Sequence, residues 1–229
     1  MYFGRNLQFL RKMKNLTQEE LAEKMNVTRQ TVSKWETDSV YPEIDKLIEL
    51  CEMFSCTVDR ILREDMNVCG EAYSEIRTVT VDPMRYIRYT VISEEPESDA
   101  ISRAEGWAKQ LDIREPQIIG WDFPHVTQEQ NNVFHMHGYT AALLLDSGQD
   151  IGGIQTEILS QDKQKYVTIS ITEPFKAPFH MIPNAYKALL AHMEVNGIKE
   201  KHDPSVIPCF EKEYVKDGMQ YMDIYIAAE

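Results

Sequence analysis

The sequence predicts a bundle of five short helices over residues 1–63, followed by an α+β unit over residues 73–229 built from two β-α-β-β repeats. Three observations predict this. Apolar residues in the first sixty positions recur at three- and four-residue spacing, in runs too short for anything but small helices. From Tyr73 onward, runs of period two alternate with one helical pattern at a time. These patterns then recur once, at an offset of about 80 residues, which indicates an internal duplication and not a solenoid. A chain of 229 residues is long enough for two domains.

Leu7, Leu10 and Met13 mark the first helix, which breaks at Lys14-Asn15-Leu16. Thr17 with Glu20 three residues later is a capping box, and Leu21, Ala22 and Met25 form the buried side of the helix it opens. Ala22 is small enough to let a second helix cross closely. Asn26-Val27 is a tight turn. Thr28 caps a third helix, Arg29 to about Glu36, with Val32 and Trp35 inward. Pro42 opens a fourth with Ile44, Leu47, Ile48 and Cys51 inward, and Thr57–Leu62 is a short fifth. The expected core is Leu7, Leu10, Leu21, Ala22, Val27, Val32, Trp35, Leu47, Leu50 and Leu62.

Residues 64–72 lack periodicity, contain Asn67 and Gly70, and read as a linker. Beyond it, Ile76–Val81 and Tyr86–Val91 alternate as strands around Pro83. Ser98 caps a helix running to about Leu111, with Ile101, Ala104, Trp107, Ala108 and Leu111 on one side. Ile118–Phe123 and Tyr139–Leu145 follow as strands. The second copy has strands at Ile154–Leu159 and Tyr166–Thr172, a helix centred on Asn184–Met193, and strands at Phe210–Val215 and Tyr221–Ala227. Tyr86–Val91 answers Tyr166–Ile171, Trp107 answers Tyr186, and Leu111 answers Leu190.

The net charge is −13, but residues 1–62 carry only −1 of it and the remainder −12. The first segment can therefore still place its bases on one face, with weak non-specific affinity for polyanions. The acidic remainder suits cationic ligands, or serves solubility alone. No apolar run reaches the ~20 residues of a membrane span, and the N-terminus lacks a signal peptide's apolar core, so the expectation is a cytoplasmic protein without a membrane partner. The cysteines, at 51, 56, 69 and 209, form no CxxC pair, which argues against zinc and dithiol chemistry. Cys51 and Cys56 read as small buried hydrophobes. His135 and His137 share a strand face, but two ligands without a third do not make a metal site. The Gly148–Gly153 loop lacks the lysine of a phosphate-binding loop. No metal or cofactor is expected.

The stretch from Leu16 through Glu36, the Pro42 loop and the Val58–Leu62 ending together resemble the Cro/phage-repressor (XRE) helix-turn-helix family, with its lambda-repressor-like five-helix fold. The resemblance implies that the helix opened by Thr28 enters the major groove of a double-stranded operator. It assigns Thr28, Arg29, Gln30, Thr31, Ser33 and Lys34 to the DNA. Arg29 suits guanine and Gln30 adenine, and the others reach phosphates or base edges. Gln18, at the start of the preceding helix, is assigned to phosphate. Arg11 and Glu36 match an internal ion pair of phage repressors. The plainer account of the same residues is a solvated face on a helical bundle.

Pro83-Met84-Arg85-Tyr86, Gly120–Pro124, Ala185–Leu189 and Met222–Ile226 resemble the GyrI-like, or AraC-type effector-binding, domain. That resemblance implies two β-α-β-β units holding a ligand in the groove between them. Here Asp223 stands where the family has Glu, and Ala227 where it has Pro; a shorter acid shifts or abolishes the family's cation contact. Along the last strand, Tyr221, Asp223 and Tyr225 share one face, and Met222, Ile224 and Ile226 the other. An acid between tyrosines suits a lipophilic cation. The expected ligand residues are Trp121, Phe123, Tyr139, Phe175, Phe210, Glu211, Asp223 and Tyr225. The favoured function is a homodimeric, non-enzymatic transcriptional regulator that senses a small cationic or aromatic effector. The rivals are a protein-interaction module, and a sequestering or hydrolysing domain in which Glu211 and Asp223 act on water.

Overall fold

A computed structural model describes residues 2–14, 16–64, 66 and 72–229. Most of the expected linker, and Cys69 within it, lies outside the described residues. Five helices open the chain: α1 (Phe3–Met13), α2 (Gln18–Lys24), α3 (Arg29–Glu36), α4 (Ile44–Met53) and α5 (Val58–Arg63). The caps follow the side chains. Thr17 accepts from the Glu20 backbone N–H, and Glu20 returns the bond, completing the capping box. Thr28 and Thr57 accept from Thr31 and Arg60 in the same way. Asn26, at φ 52°, makes the tight turn between α2 and α3, a conformation Asn tolerates better than most residues.

The expected core of this bundle is largely present. Leu7, Leu10, Leu21, Ala22, Val32, Trp35 and Leu50 are buried, while Val27, Leu47 and Leu62 are half-buried. Helix α4 differs in phase: Ile44 is 75% exposed and Ile48 is exposed too. Two apolar stripes overlap on this helix, 44/47/48/51 and 47/50/51/54. The second takes the inside because it carries Leu50 and Phe54, both fully buried. Cys51 is buried and Cys56 half-buried; burial, then the neighbouring Cys51, pushes the Cys56 thiol up to about 12.

The strands β1 (Arg77–Val81), β2 (Met84–Ser93), β3 (Ile118–Asp122), β4 (His137–Leu145), β5 (Leu159–Gln161), β6 (Gln164–Thr172), β7 (Cys209–Lys216) and β8 (Met219–Ala228) form one antiparallel sheet. Its order is β1-β6-β8-β7-β3-β4-β2-β5. The helices among them are α6 (Pro96–Gln110), the short α7 (Gln128–Asn132) and α8 (Pro178–Asn196). The duplication is written into the register. Val81 pairs with Gln164, and Gln161 pairs with Met84: the same contact with the copies exchanged. At the centre, β3 of the first copy meets β7 of the second, with Gly120 opposite Glu211.

The chain divides into two compact units, one holding residues up to Ile76 with Phe175–Lys199, the other Arg77–Pro174 with Glu200–Glu229. Helix α8, the helix of the second repeat in chain order, thus groups with the first five helices. Arg60 stands 3.5 Å from Glu194, and Asn196 Nδ2 donates to the Met13 carbonyl at 3.4 Å. In the second unit, α6 buries Ala100, Ala104, Trp107 and Ala108 against Ile87, Ala141, Leu143 and Leu145 on one face of the sheet. The other face carries Tyr86, Ile119, Trp121, Ala142, Tyr166 and Phe210, closed by Ile207 from the segment before β7. Among the described residues, no helix is long and apolar enough to cross a membrane.

Candidate functional sites

Helix α3 is held at its C-terminal end and open along its outer side. Val32, Trp35 and Glu36 are buried, whereas Thr28, Arg29, Gln30 and Lys34 are exposed, and Thr31 and Ser33 half-buried. Glu36 organises the anchor. It accepts from Arg11 Nε at 2.5 Å, Arg11 Nη2 at 3.1 Å and Gln18 Nε2 at 2.8 Å, tying α1, α2 and α3 together. The Arg11–Glu36 ion pair is therefore present, and the Gln18 side chain is committed inside the bundle. The Thr28 hydroxyl is likewise committed to the cap, bonding to the Thr31 N–H at 3.1 Å.

The sequence did not single out two residues that hold this bundle. Asn6 is fully buried: its Nδ2 donates to the Ile61 and Glu64 carbonyls at 2.9 and 2.7 Å, and its Oδ1 accepts from Met66 N–H at 2.9 Å. Gly4 lets α1 approach the end of α3, where a Cβ would lie 2.6 Å from the Trp35 carbonyl oxygen. A polar residue or a glycine inside a helix carries no local mark of such distant partners.

In the second unit, strand register sorts the expected ligand residues onto different faces. Gly120 opposes Glu211, and Asp122 opposes Tyr139, so Tyr139, Asp122, Glu211 and Glu213 share the α6 face. Phe210 opposes Tyr225, so Phe210, Asp223, Tyr225 and Trp121 share the other. Glu211 and Asp223 thus stand on opposite faces and cannot act on one water molecule. Phe123 follows β3 and meets His125 edge-on. Phe175 belongs to the other unit and is exposed.

On the α6 face, Tyr139 lies across Gly120 toward β7, its hydroxyl 2.1 Å from where a Cβ on Gly120 would be. The residue is 6% exposed. Four carboxylates surround it. Burial, then Glu211, Glu97, Glu213 and Asp122 in that order, push its pKa far up. The acids disturb one another too. Glu97 is raised by burial and then by Asp122, Glu213 by burial and then by Glu97, and Asp122 by burial against a smaller opposing pull from His137. Glu97, Asp122, Glu211 and Glu213 thus form an acidic patch around Tyr139 on this side of the sheet. Among the described residues, no three His, Cys, Asp or Glu side chains are placed to hold a metal ion.

On the opposite face, Asp223 is only 8% exposed and accepts from Tyr214 and Tyr225, each at 3.2 Å. Tyr221 instead stacks on Tyr214 with ring centres 5.4 Å apart. Burial, then Asp223, pushes Tyr225 up to about 12. The acid expected to meet a cation is therefore satisfied by two phenols of its own fold, and Tyr225 stacks on Phe210 at 4.4 Å.

Residues 7–61 match the helix-turn-helix family model. The N-terminal bundle is a helix-turn-helix domain. Over 62 residues it is 47% identical to the HTH-type transcriptional activator BcrR of Enterococcus faecalis, a match covering 27% of this chain and 30% of that protein. Over 62 residues it is 40% identical to the uncharacterized HTH-type transcriptional regulator YobD of Bacillus subtilis (strain 168), covering 27% of this chain and 54% of that one. The chain thus spans between about a third and about half of the length of these relatives. It is also similar to EcmrR as seen in the cryo-EM structure of an EcmrR–DNA complex, at 12% identity and a TM-score of 0.47, covering 91% of this chain and 97% of the other.

Proposed function

We propose that this chain is a transcriptional regulator that reads operator DNA with α3 and responds to an organic cation bound at the acidic patch around Tyr139. One observation carries the first part: a helix-turn-helix matched over residues 7–61 presents Arg29, Gln30 and Lys34 outward on a helix fixed by Trp35 and Glu36. A rigid helix offering a fork donor and an amide suits base edges in the major groove. Thr31 and Ser33 flank them, and a twofold operator calls for two copies of the chain.

The second part rests on the acidic patch. Four acids held near a buried hydroxyl repel one another, and a cation relieves that repulsion while displacing little bound structure. Tyr139 and Glu211 belong to the expected ligand set; Glu97, Asp122 and Glu213 join them. The proposed functional division is residues 1–63 for DNA and residues 73–229 for the effector, although Phe175–Lys199 of the latter groups with the first compact unit.

Thermal shift separates the outcomes for the effector. A cation at a hundred times its Kd stabilises the protein by about 2.7 kcal/mol, a Tm rise of roughly 5–10 °C. Tetraphenylphosphonium should raise Tm where neutral aromatics added at the same concentration raise it far less, and Glu211→Gln should abolish the cation shift. Equal shifts with a neutral ligand of the same shape refute the cation assignment. For DNA, selection of bound sequences from a random pool, followed by anisotropy titration, tests the reader; failure to enrich any sequence refutes it.

A further inference from the structure

The duplication supplies an internal control for a second site, on the sheet face away from α6. In the first repeat Arg88 pairs across the strands with Ala142; in the second, Thr168 pairs with Tyr225. These pairs occupy the same place, since Tyr86 and Tyr166 stand two residues before Arg88 and Thr168 and pair with Leu144 and Ala227. In the second repeat the space is filled. Tyr225 lies flat on Phe210 and edge-on to Tyr166 at 6.0 Å, over a fully buried Thr168. In the first, Ala142 is a small, fully buried side chain with Tyr86, Ile119, Trp121 and Ile207 packed around it, and no ring stands where Tyr225 does.

The result is a cleft of about 240 Å³ lined by Tyr86, Arg88, Trp121, Lys201, His202 and Ile207, among others. Arg88 and Trp121 come from β2 and β3, the two strands flanking β4, and Lys201–Pro208 from the segment before β7. Tyr86 and Trp121 are 5% and 8% exposed and form its floor. Arg88 is exposed, and among the described residues no carboxylate pairs with it. Asp203 also borders the cleft: its Oδ1 accepts from the Ser205 N–H at 2.9 Å and hydroxyl at 2.7 Å, and its Oδ2 pairs loosely with Lys201 Nζ at 4.0 Å. The second repeat shows that the fold accepts threonine where Arg88 stands, so the guanidinium is not there to hold the sheet.

We infer that this cleft binds a small aromatic carboxylate, with the carboxylate on Arg88 and Lys201 and the ring against Trp121 and Tyr86. A guanidinium fork matches a carboxylate in two parallel hydrogen bonds, and the rings at the floor favour an aromatic body over an aliphatic one. The cleft is smaller than the roughly 300–1,000 Å³ of drug-sized sites, which restricts the ligand to a single ring. This site stands on the opposite face of the sheet from the acidic patch and does not depend on that assignment.

The test is calorimetric titration of the full chain with benzoate, with benzamide as the neutral analogue of the same shape and inorganic phosphate as a ringless anion. Benzoate should bind, and benzamide and phosphate should bind at least tenfold more weakly. Arg88→Thr, which copies the second repeat, should leave the thermal unfolding temperature unchanged and weaken benzoate at least tenfold. Lys201→Met should weaken it less, by about threefold. Absence of benzoate binding, equal binding of benzamide, phosphate binding as tight as benzoate, or undiminished benzoate affinity in Arg88→Thr would each overturn the inference.

Discussion

Tyr139 closes over Gly120 so tightly that a Cβ on Gly120 would meet its hydroxyl oxygen at 2.1 Å and its ring carbon Cζ at 2.6 Å. The position of Tyr139 depends on that missing methyl group. Gly120→Ala should force Tyr139 out of place and cost about 1–3 kcal/mol, as overpacking of a tight core does. Chemical denaturation measures the loss. Removing the bulk on the other side, in Gly120→Ala with Tyr139→Ala, should recover part of it, and a double variant no more stable than the sum of its parts would show that the two residues are not in contact.

The acids of the patch predict opposite effects of one substitution on stability and on binding. Glu213 is raised by burial and then by Glu97, so the folded state favours its neutral form. Such a group contributes most stability below its unfolded pKa, and that contribution is lost as pH rises through the raised folded value. Glu213→Gln should therefore raise the unfolding temperature at pH 7.5, with the advantage vanishing near pH 4. Cation affinity runs the other way. It needs the charged acids, so it should fall as pH drops through values above the ordinary carboxylate range, and Glu213→Gln should weaken it about tenfold, or 1.4 kcal/mol. A thermal-melt series across pH with and without cation reads both.

How far the sequence carried these conclusions depends on whether a feature is local. Caps at Thr17, Thr28 and Thr57 are legible because donor and acceptor lie three residues apart. The duplication is legible because strand alternation and helix spacing survive copying. Face assignment within one strand is legible too: Asp223 and Tyr225 do share a side. The register between β7 and β8 is not, since a slip of one residue exchanges the faces, and it is this register that puts Glu211 opposite Ile224 and away from Asp223. An apolar stripe shows that a helix packs and not against what, which is why the grouping of α8 and the phase of α4 are set by tertiary partners and not by the local pattern. Asn6, Gly4 and Gly120 act through partners distant in sequence or across strands, and nothing beside them in the chain announces it.

Asn6 gives the sharpest stability prediction in the helix-turn-helix domain. Its carboxamide makes three hydrogen bonds to backbone groups of α5 and the segment after it. Asn6→Ala strands buried carbonyls and an N–H, at about 1–3 kcal/mol for each group left without a partner. Asn6→Asp should be worse, because a carboxylate cannot donate to the Ile61 and Glu64 carbonyls. Unfolding in urea, with the slope unchanged, checks both; a loss under 1 kcal/mol for alanine would mean that water replaces the amide.

DNA reading separates two kinds of residue on and beside α3. Glu36 is an anchor. Glu36→Ala leaves the Arg11 guanidinium buried without its partner, so the domain should lose about 3–5 kcal/mol of stability, and DNA affinity should fall in proportion to unfolding. Arg29 is a reader. Arg29→Ala should leave stability within about 0.5 kcal/mol, as surface changes do, yet weaken the selected operator by about 1–3 kcal/mol and relax preference at one base pair. Lys34→Ala should weaken all sequences alike and flatten the salt dependence by about one counterion. Anisotropy titrations across salt, on the operator and on its single-base variants, distinguish the three. Equal losses on every sequence for Arg29→Ala would move Arg29 from base to phosphate and leave Gln30 as the side chain that carries specificity.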